Sequence, residues 1–244
     1  MSKTLMISTF RNRRLQSELM DDPSLDADEH RRALTGLGRI NWWSRPDAVL
    51  WNAIRPLLSS ASKEQPLTIL DIASGGGDLA IRLAKRAQRE GAHLRIVGCD
   101  MSATAVQFAS EQARLAGVLN VTFERRNILT DTLPQSSFDV VMCSLFLHHL
   151  NESDGLKLLN IMRMVAGKLV LVDDLRRTAL GYWLAWFGCR ILTRCRIVHL
   201  DGPMSVEGAL TSEEATVMAR QANMPDARVR FHWPQRYLLS WKKC

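Results

Sequence analysis

The segment CSLFLHHL, Cys143 to Leu150, ends with His148 and His149 before its last leucine, and the apolar run KLVLVDD closes on Asp173 and Asp174. An imidazole can remove the proton of a hydroxyl group, and a carboxylate beside it stabilises the imidazolium that forms. With histidine titrating at about 6.5 and a phenolic hydroxyl at about 10, that help decides whether the transfer works. His148 with Asp174 is therefore the expected catalytic pair, and His149 is the second candidate. Two more acids close apolar runs: Asp71, which leads into Ala73-Ser74-Gly75-Gly76-Gly77, and Asp100, which ends RIVGCD. A glycine turn between a strand and a helix offers backbone N–H groups to a nucleotide-like ligand, and acids at strand ends meet its hydroxyls or cationic groups.

Positioning these residues requires a fold that gathers strand ends. From Leu67 onward, strand-like runs alternate with helical ones: LTILDI, then DLAIRLAKRAQRE; RIVGCD, then SATAVQFASEQARLAG; VTFER; FDVVMCSLF, then a helix to about Met164; and KLVLVDD. That rhythm predicts an α/β, doubly wound, mostly parallel sheet with its ligand crevice at the carboxyl ends of the strands. Residues 1–60 read as a helical N-terminal cap. In it, Asp26 and Glu29 form an N-cap and its partner, and Ser44 and Pro46 open a second helix. Residues 61–244 form the sheet domain, interrupted at about 176–210 by a lid-like insertion rich in Trp and Leu. Thr211 and Glu214 then make a capping box, and ARVRFHW and RYLLSW, separated by Pro234 and Gln235, complete seven strands as an antiparallel C-terminal hairpin.

The glycine turn fits the dinucleotide pattern G-x-G-x-x-G/A, ending on Ala80, but Asp71 would repel a pyrophosphate at the helix N-terminus. S-adenosylmethionine carries no phosphate; its sulfonium and ammonium groups are welcomed by an acid. Asp100 is spaced to hold ribose hydroxyls, and Met101 beside it can pack on adenine. Here the chain resembles the class I S-adenosylmethionine-dependent methyltransferases of small molecules, across roughly residues 67 to 175. The resemblance implies a Rossmann-like fold, S-adenosylmethionine as cofactor with no metal, and a donor site of Asp71, Ala73, Ser74, Gly75, Gly77, Asp100, Met101, Asn127, Ile128 and Ser144. Asn127 stands where the family usually has Asp. It also places His148 and His149 against the methyl donor. More loosely, Arg39 in GLGRINWW and the segment DLRR at Asp174 resemble bacterial methyltransferases found near type III polyketide synthases. That implies a phenolic or polyketide-derived substrate of secondary metabolism, methylated at oxygen. The alternatives are C-methylation of a quinone-like ring, or methylation of a nucleic acid by way of the basic C-terminal third.

Arg39 is the expected partner of the donor's carboxylate. Trp43, Phe146, Trp183 and Trp186 supply apolar and aromatic contacts for a hydrophobic substrate, joined by His199 and Asp201 in a loop. Hydrophobic residues at 46% and charged residues at 23% fit a globular chain. The net charge of +7 is concentrated in residues 176–244, which hold eleven Lys/Arg against five Asp/Glu. A nucleic-acid partner is set aside for want of an RNA-binding appendage or aromatics interleaved with the basic residues. Five cysteines without a C-x-x-C pair fit reduced thiols in the cytoplasm. The N-terminus lacks the apolar core of a secretion signal, and no run reaches transmembrane length. The reading admits a homodimer.

Overall fold

The computed structural model describes residues 10–22 and 24–243, so the first nine residues of the expected cap, Pro23 and Cys244 lie outside the described residues. Helix α1 (Ala27–Ser44) begins at Asp26, whose carboxylate accepts from the N–H groups of Asp28 and Glu29. Helix α2 (Pro46–Ile54) has its proline in the first turn, as predicted, but its N-cap is Arg45 and it has no side-chain cap. Ser44, expected to open α2, is instead the last residue of α1. The helix runs on through NWWS and stops only where Arg45 takes up a left-handed conformation, φ 52°.

After a 3-10 turn at Arg55–Ser60 come β1 (Leu67–Ile72), α3 (Asp78–Glu90), β2 (Leu94–Asp100), α4 (Ala103–Leu115), β3 (Val121–Arg125), β4 (Phe138–Ser144), α5 (Glu152–Val165) and β5 (Ala166–Leu175). The chain then forms α6 (Ala179–Leu192), α7 (Arg196–Gly208), α8 (Ser212–Gln221), β6 (Arg228–His232) and β7 (Arg236–Lys242). The seven strands lie in the order β3-β2-β1-β4-β5-β7-β6, with β7 antiparallel to both its neighbours and the other pairings parallel. The predicted doubly wound, Rossmann-like sheet with an antiparallel hairpin is the observed one. The strand order reverses between β1 and β4, where open α/β sheets leave their crevice.

Side-chain alternation divides the core in two. Leu70, Ile72, Val141, Cys143, Val170 and Val172 face α5 and α8, whereas Ile69, Met142, Leu169 and Leu171 face α2 and α3. Thr211 and Glu214 form the predicted capping box on α8. A third, smaller core joins α1, α6 and α7 through Ala33, Cys189, Ile197 and Val198, so the insertion packs on the N-terminal helix. Gly202 lets α7 approach α6 closely; a Cβ there would meet Cys189 Sγ at 2.4 Å.

Candidate active site

The glycine turn joins β1 to α3. Gly77 has φ 73°, and a Cβ on it would lie 2.5 Å from the Phe123 ring and 2.8 Å from Ala109, so both conformation and space require glycine. Ala73 is also left-handed, φ 53°. Asp100 closes the turn from β2: its Oδ2 accepts from Gly75 N–H at 2.9 Å and its Oδ1 from Ser102 N–H at 2.9 Å. Burial raises the pKa of Asp71 well above the usual carboxylate range, with Asp78 and Asp100 adding to it. Burial likewise raises Asp78 and Asp100. Ser74 Oγ and Asp78 Oδ2 are buried without a hydrogen-bond partner. The turn is thus acidic, and its carboxylates resist ionising until a cation compensates them.

Helix α1 roofs this turn. Leu34 would touch a Cβ on Gly75 or Gly76, Gly38 lies against Asp78, and Asn41 Nδ2 donates to Asp78 Oδ1 at 3.4 Å. Arg39, the expected carboxylate partner, does not face the turn. It falls on the opposite side of α1 from Leu34, Gly38 and Asn41 and is exposed, because a step of one residue turns a helix by about 100°. Met101 stands exposed beside Asp100, and Ile128 is buried. Asn127 Oδ1 accepts from Leu129 N–H at 3.1 Å, so in this structure its amide oxygen serves its own loop.

Asp173 and Asp174, which both close the apolar run of β5, do not share a site. Adjacent residues of β5 point to opposite faces, and the register makes this concrete. Ser144 pairs with Asp173, two residues beyond the Asp71–Met142 pairing, so Asp71, Ser144 and Asp173 share the face of the glycine turn. There Asp173 binds Arg236 on one side and His232 Nε2 at 2.7 Å on the other. Arg236 also donates to Ser144 Oγ at 2.9 Å and reaches Asn41 and Ser44 of α1 at 3.4 Å. Neither Arg236 nor His232 stood out in the sequence. Only the β5–β7–β6 pairing carries them to this crevice.

Asp174 lies on the other face with His148. Its Oδ1 is 2.6 Å from His148 Nδ1, and its Oδ2 accepts from His148 N–H at 3.0 Å. On the far side of the ring, His148 Nε2 is 3.5 Å from Glu18 Oε1. His148 is only 3% exposed. Burial alone would lower its pKa, but Asp174 and Glu18 outweigh that and raise it to about 10. The two carboxylates on either side of the ring thus favour its imidazolium form. Asp174 and Glu18, despite burial, are held below the usual carboxylate range by the same ring. His149 is more accessible: Nδ1 contacts Asp21 at 2.7 Å, and its ring lies 6.3 Å from Phe146. The donor atoms of Glu18, His148 and His149 come within 4.8 Å of one another, the one such group among the described residues.

His199 and Asp201, expected in a loop, lie inside α7, which continues through Gly202-Pro203. His199 Nε2 contacts the Thr193 carbonyl at 2.8 Å, and Asp201 accepts from the N–H groups of Leu19 and Met20 at 3.0 Å each. Asp201 thus anchors the segment that carries Glu18 and Asp21. Trp43 packs edge-on against Trp233 at 5.1 Å beside the hairpin. Trp183 and Trp186 lie on α6 in an aromatic chain with Tyr182 and Phe187, and Trp183 is exposed, not turned into a core.

A family model described as a methyltransferase domain matches residues 63–181. Over 120 residues the chain is 32% identical to the demethylmenaquinone methyltransferase of Deinococcus radiodurans, an alignment covering 49% of this chain and 48% of that protein. The chain spans about half the length, or less, of the curated relatives it matches. Among solved structures, magnesium protoporphyrin IX methyltransferase of Synechocystis with bound S-adenosylhomocysteine superposes with a TM-score of 0.54 at 14% identity, over 89% of this chain and 84% of that one. An O-methyltransferase family 2 protein of Planctomyces limnophilus, in complex with apigenin, gives 0.61 at 16% identity, over 92% and 63%. At such identities the structures speak for the fold. Residues 63–181, just under half of the chain, match a methyltransferase domain, and the sheet that they build has the Rossmann-like strand order.

Proposed function

We propose that this protein transfers a methyl group from S-adenosylmethionine to an oxygen of a small hydrophobic acceptor, phenolic or polyketide-derived. The donor is supported by the placement of Asp71, Asp78 and Asp100 around the glycine turn, where burial pushes each toward its neutral form. A cationic ligand relieves that burden, and a pyrophosphate would add to it. When bound, the donor supplies a methyl group on a sulfonium sulfur. Asp100, already oriented by Gly75 and Ser102, holds ribose hydroxyls; Met101 and Ile128 flank adenine; Ala73, Ser74, Gly75, Gly77, Asn127 and Ser144 complete the cradle.

The half-buried His149, with Nδ1 on Asp21, is the imidazole–carboxylate pair that removes the acceptor's proton, while His148, clamped between Asp174 and Glu18, positions the turn and the N-terminal segment over it. Trp43 and Phe146 supply apolar contact. A second reading, C-methylation of a quinone-like ring, draws on the similarity to demethylmenaquinone methyltransferase. The test offers S-adenosylmethionine with a labelled methyl group and a panel of phenols and quinols, then locates the label by mass spectrometry and NMR. Label on phenolic oxygen supports the first reading and label on ring carbon the second. Label on neither, with the donor bound, refutes both.

A further inference from the structure

Helix α6, ALGYWLAWFGCRIL, buries only Gly181 and Cys189. Leu180, Trp183, Phe187 and Ile191 are 57, 40, 53 and 79% exposed. At spacings of three and four residues these side chains form one stripe, turned away from the side on which Gly181 and Cys189 meet the rest of the protein. The segment of chain that carries the stripe has one sign of charge. From Leu175 to Leu200 the chain holds five arginines and no acidic residue. Arg177 is buried against Glu214. Arg190, Arg194 and Arg196 are exposed, and the Arg190 guanidinium lies 4.0 Å above the Trp186 ring.

We propose that α6 docks the protein on the surface of a bilayer bearing anionic headgroups, with the stripe seated among the lipids and the arginines at the headgroups. An aromatic and aliphatic face bordered by arginine is the composition of helices that lie in the interface. At 14 residues the helix is about 21 Å long, short of the ~30 Å hydrocarbon core, so it rests on the membrane and does not cross it. No helix among the described residues is long and apolar enough to span one. A second copy of the chain fits the stripe less well, since a two-fold contact would set arginine against arginine.

The helix also starts beside the hairpin that holds Asp173. Thr178, the N-cap of α6, is 3.1 Å from Gln235 of the hairpin turn, next to the Trp43–Trp233 pair and to His232, which holds Asp173. If the acceptor is hydrophobic, as proposed above, docking sets the crevice beside the phase in which it dissolves. Docking itself is independent of that reading, and so is its test, which uses neither donor nor acceptor.

Vesicles of phosphatidylcholine alone, and of an equal mixture with phosphatidylglycerol, are floated with the full chain while tryptophan emission is recorded. The mixed vesicles are expected to carry the protein, with a blue shift and with release by salt. F187S/I191S and R194E/R196E, each shown folded by its circular dichroism and unfolding midpoint, should each bind about tenfold more weakly or worse. The two variants remove different contributions, so one remains informative if the other fails to fold. No flotation of the wild type, or flotation of both folded variants equal to wild type, overturns the proposal. So does a dimer that the variants dissolve in a protein that ignores vesicles, which would make a second copy the occupant.

Discussion

His148→Gln tests the charge on the buried ring. Glutamine can keep a hydrogen bond to Asp174 but cannot be protonated. In the folded chain His148 titrates at about 10, against about 6.5 when exposed. A raised folded pKa contributes stability that is complete below the unfolded value and is lost as pH rises through the folded one. The window therefore runs from about 6.5 to about 10, and within it the native state holds one more proton than the unfolded state. The slope for one proton is about 1.4 kcal/mol per pH unit, so the whole contribution is several kcal/mol. The ring is fully buried, so solvent screening takes nothing from this. The lowered pKa of Asp174 is the same contact viewed from the other partner and is counted once. Urea unfolding of wild type and variant at pH steps across about 6 to 10, with chelator present, gives the difference in stability. Groups away from the ring cancel in that difference, whereas Asp174 and Glu18, which the ring holds low, respond to its removal. The difference is expected to shrink by roughly 1 kcal/mol or more per unit above neutrality. A difference that stays flat, or a His148 ring resonance that titrates below pH 7, refutes the imidazolium and returns His148 to the role of neutral base.

Asp100→Ala should remove the charge-assisted contact to the ribose and weaken S-adenosylmethionine binding by about 1.5 to 3 kcal/mol in calorimetry, and unchanged affinity would remove Asp100 from the donor site. Donor binding should also release protons at mildly acidic pH, because a cation favours the ionised forms of Asp71, Asp78 and Asp100; uptake of protons, or tighter binding of NAD, would contradict the acidic-turn argument. Arg236→Met leaves Asp173 buried with one partner fewer and should destabilise the fold by about 3 to 5 kcal/mol in chemical denaturation. Methyl transfer should persist after exhaustive chelation; loss of activity restored by a divalent metal would assign Glu18, His148 and His149 to that ion.

What the sequence determined by itself is what local periodicity and short-range chemistry control. The alternation of strand and helix patterns set the doubly wound sheet. The turn from Ala73 to Gly77 between Asp71 and α3 was legible as a turn, since its left-handed residues and tight clearances are demands of a few neighbouring atoms. Capping at Asp26 and Thr211 was legible for the same reason. What only the tertiary structure decided depends on which face a residue takes and on what distant segment meets it. Asp173 and Asp174 look alike in sequence, yet sheet register sends one to Arg236 and His232 and the other to His148. His149 and Asp21 are 128 positions apart. No local pattern announces that the N-terminal segment brings Glu18 to the His148 ring, or that the ring is enclosed between two carboxylates. The apolar composition of α6 was visible from the start. Its exposure was not, because a helix pattern states how apolar a segment is, and only the packing of α1 and α7 against one side of it shows which side remains uncovered.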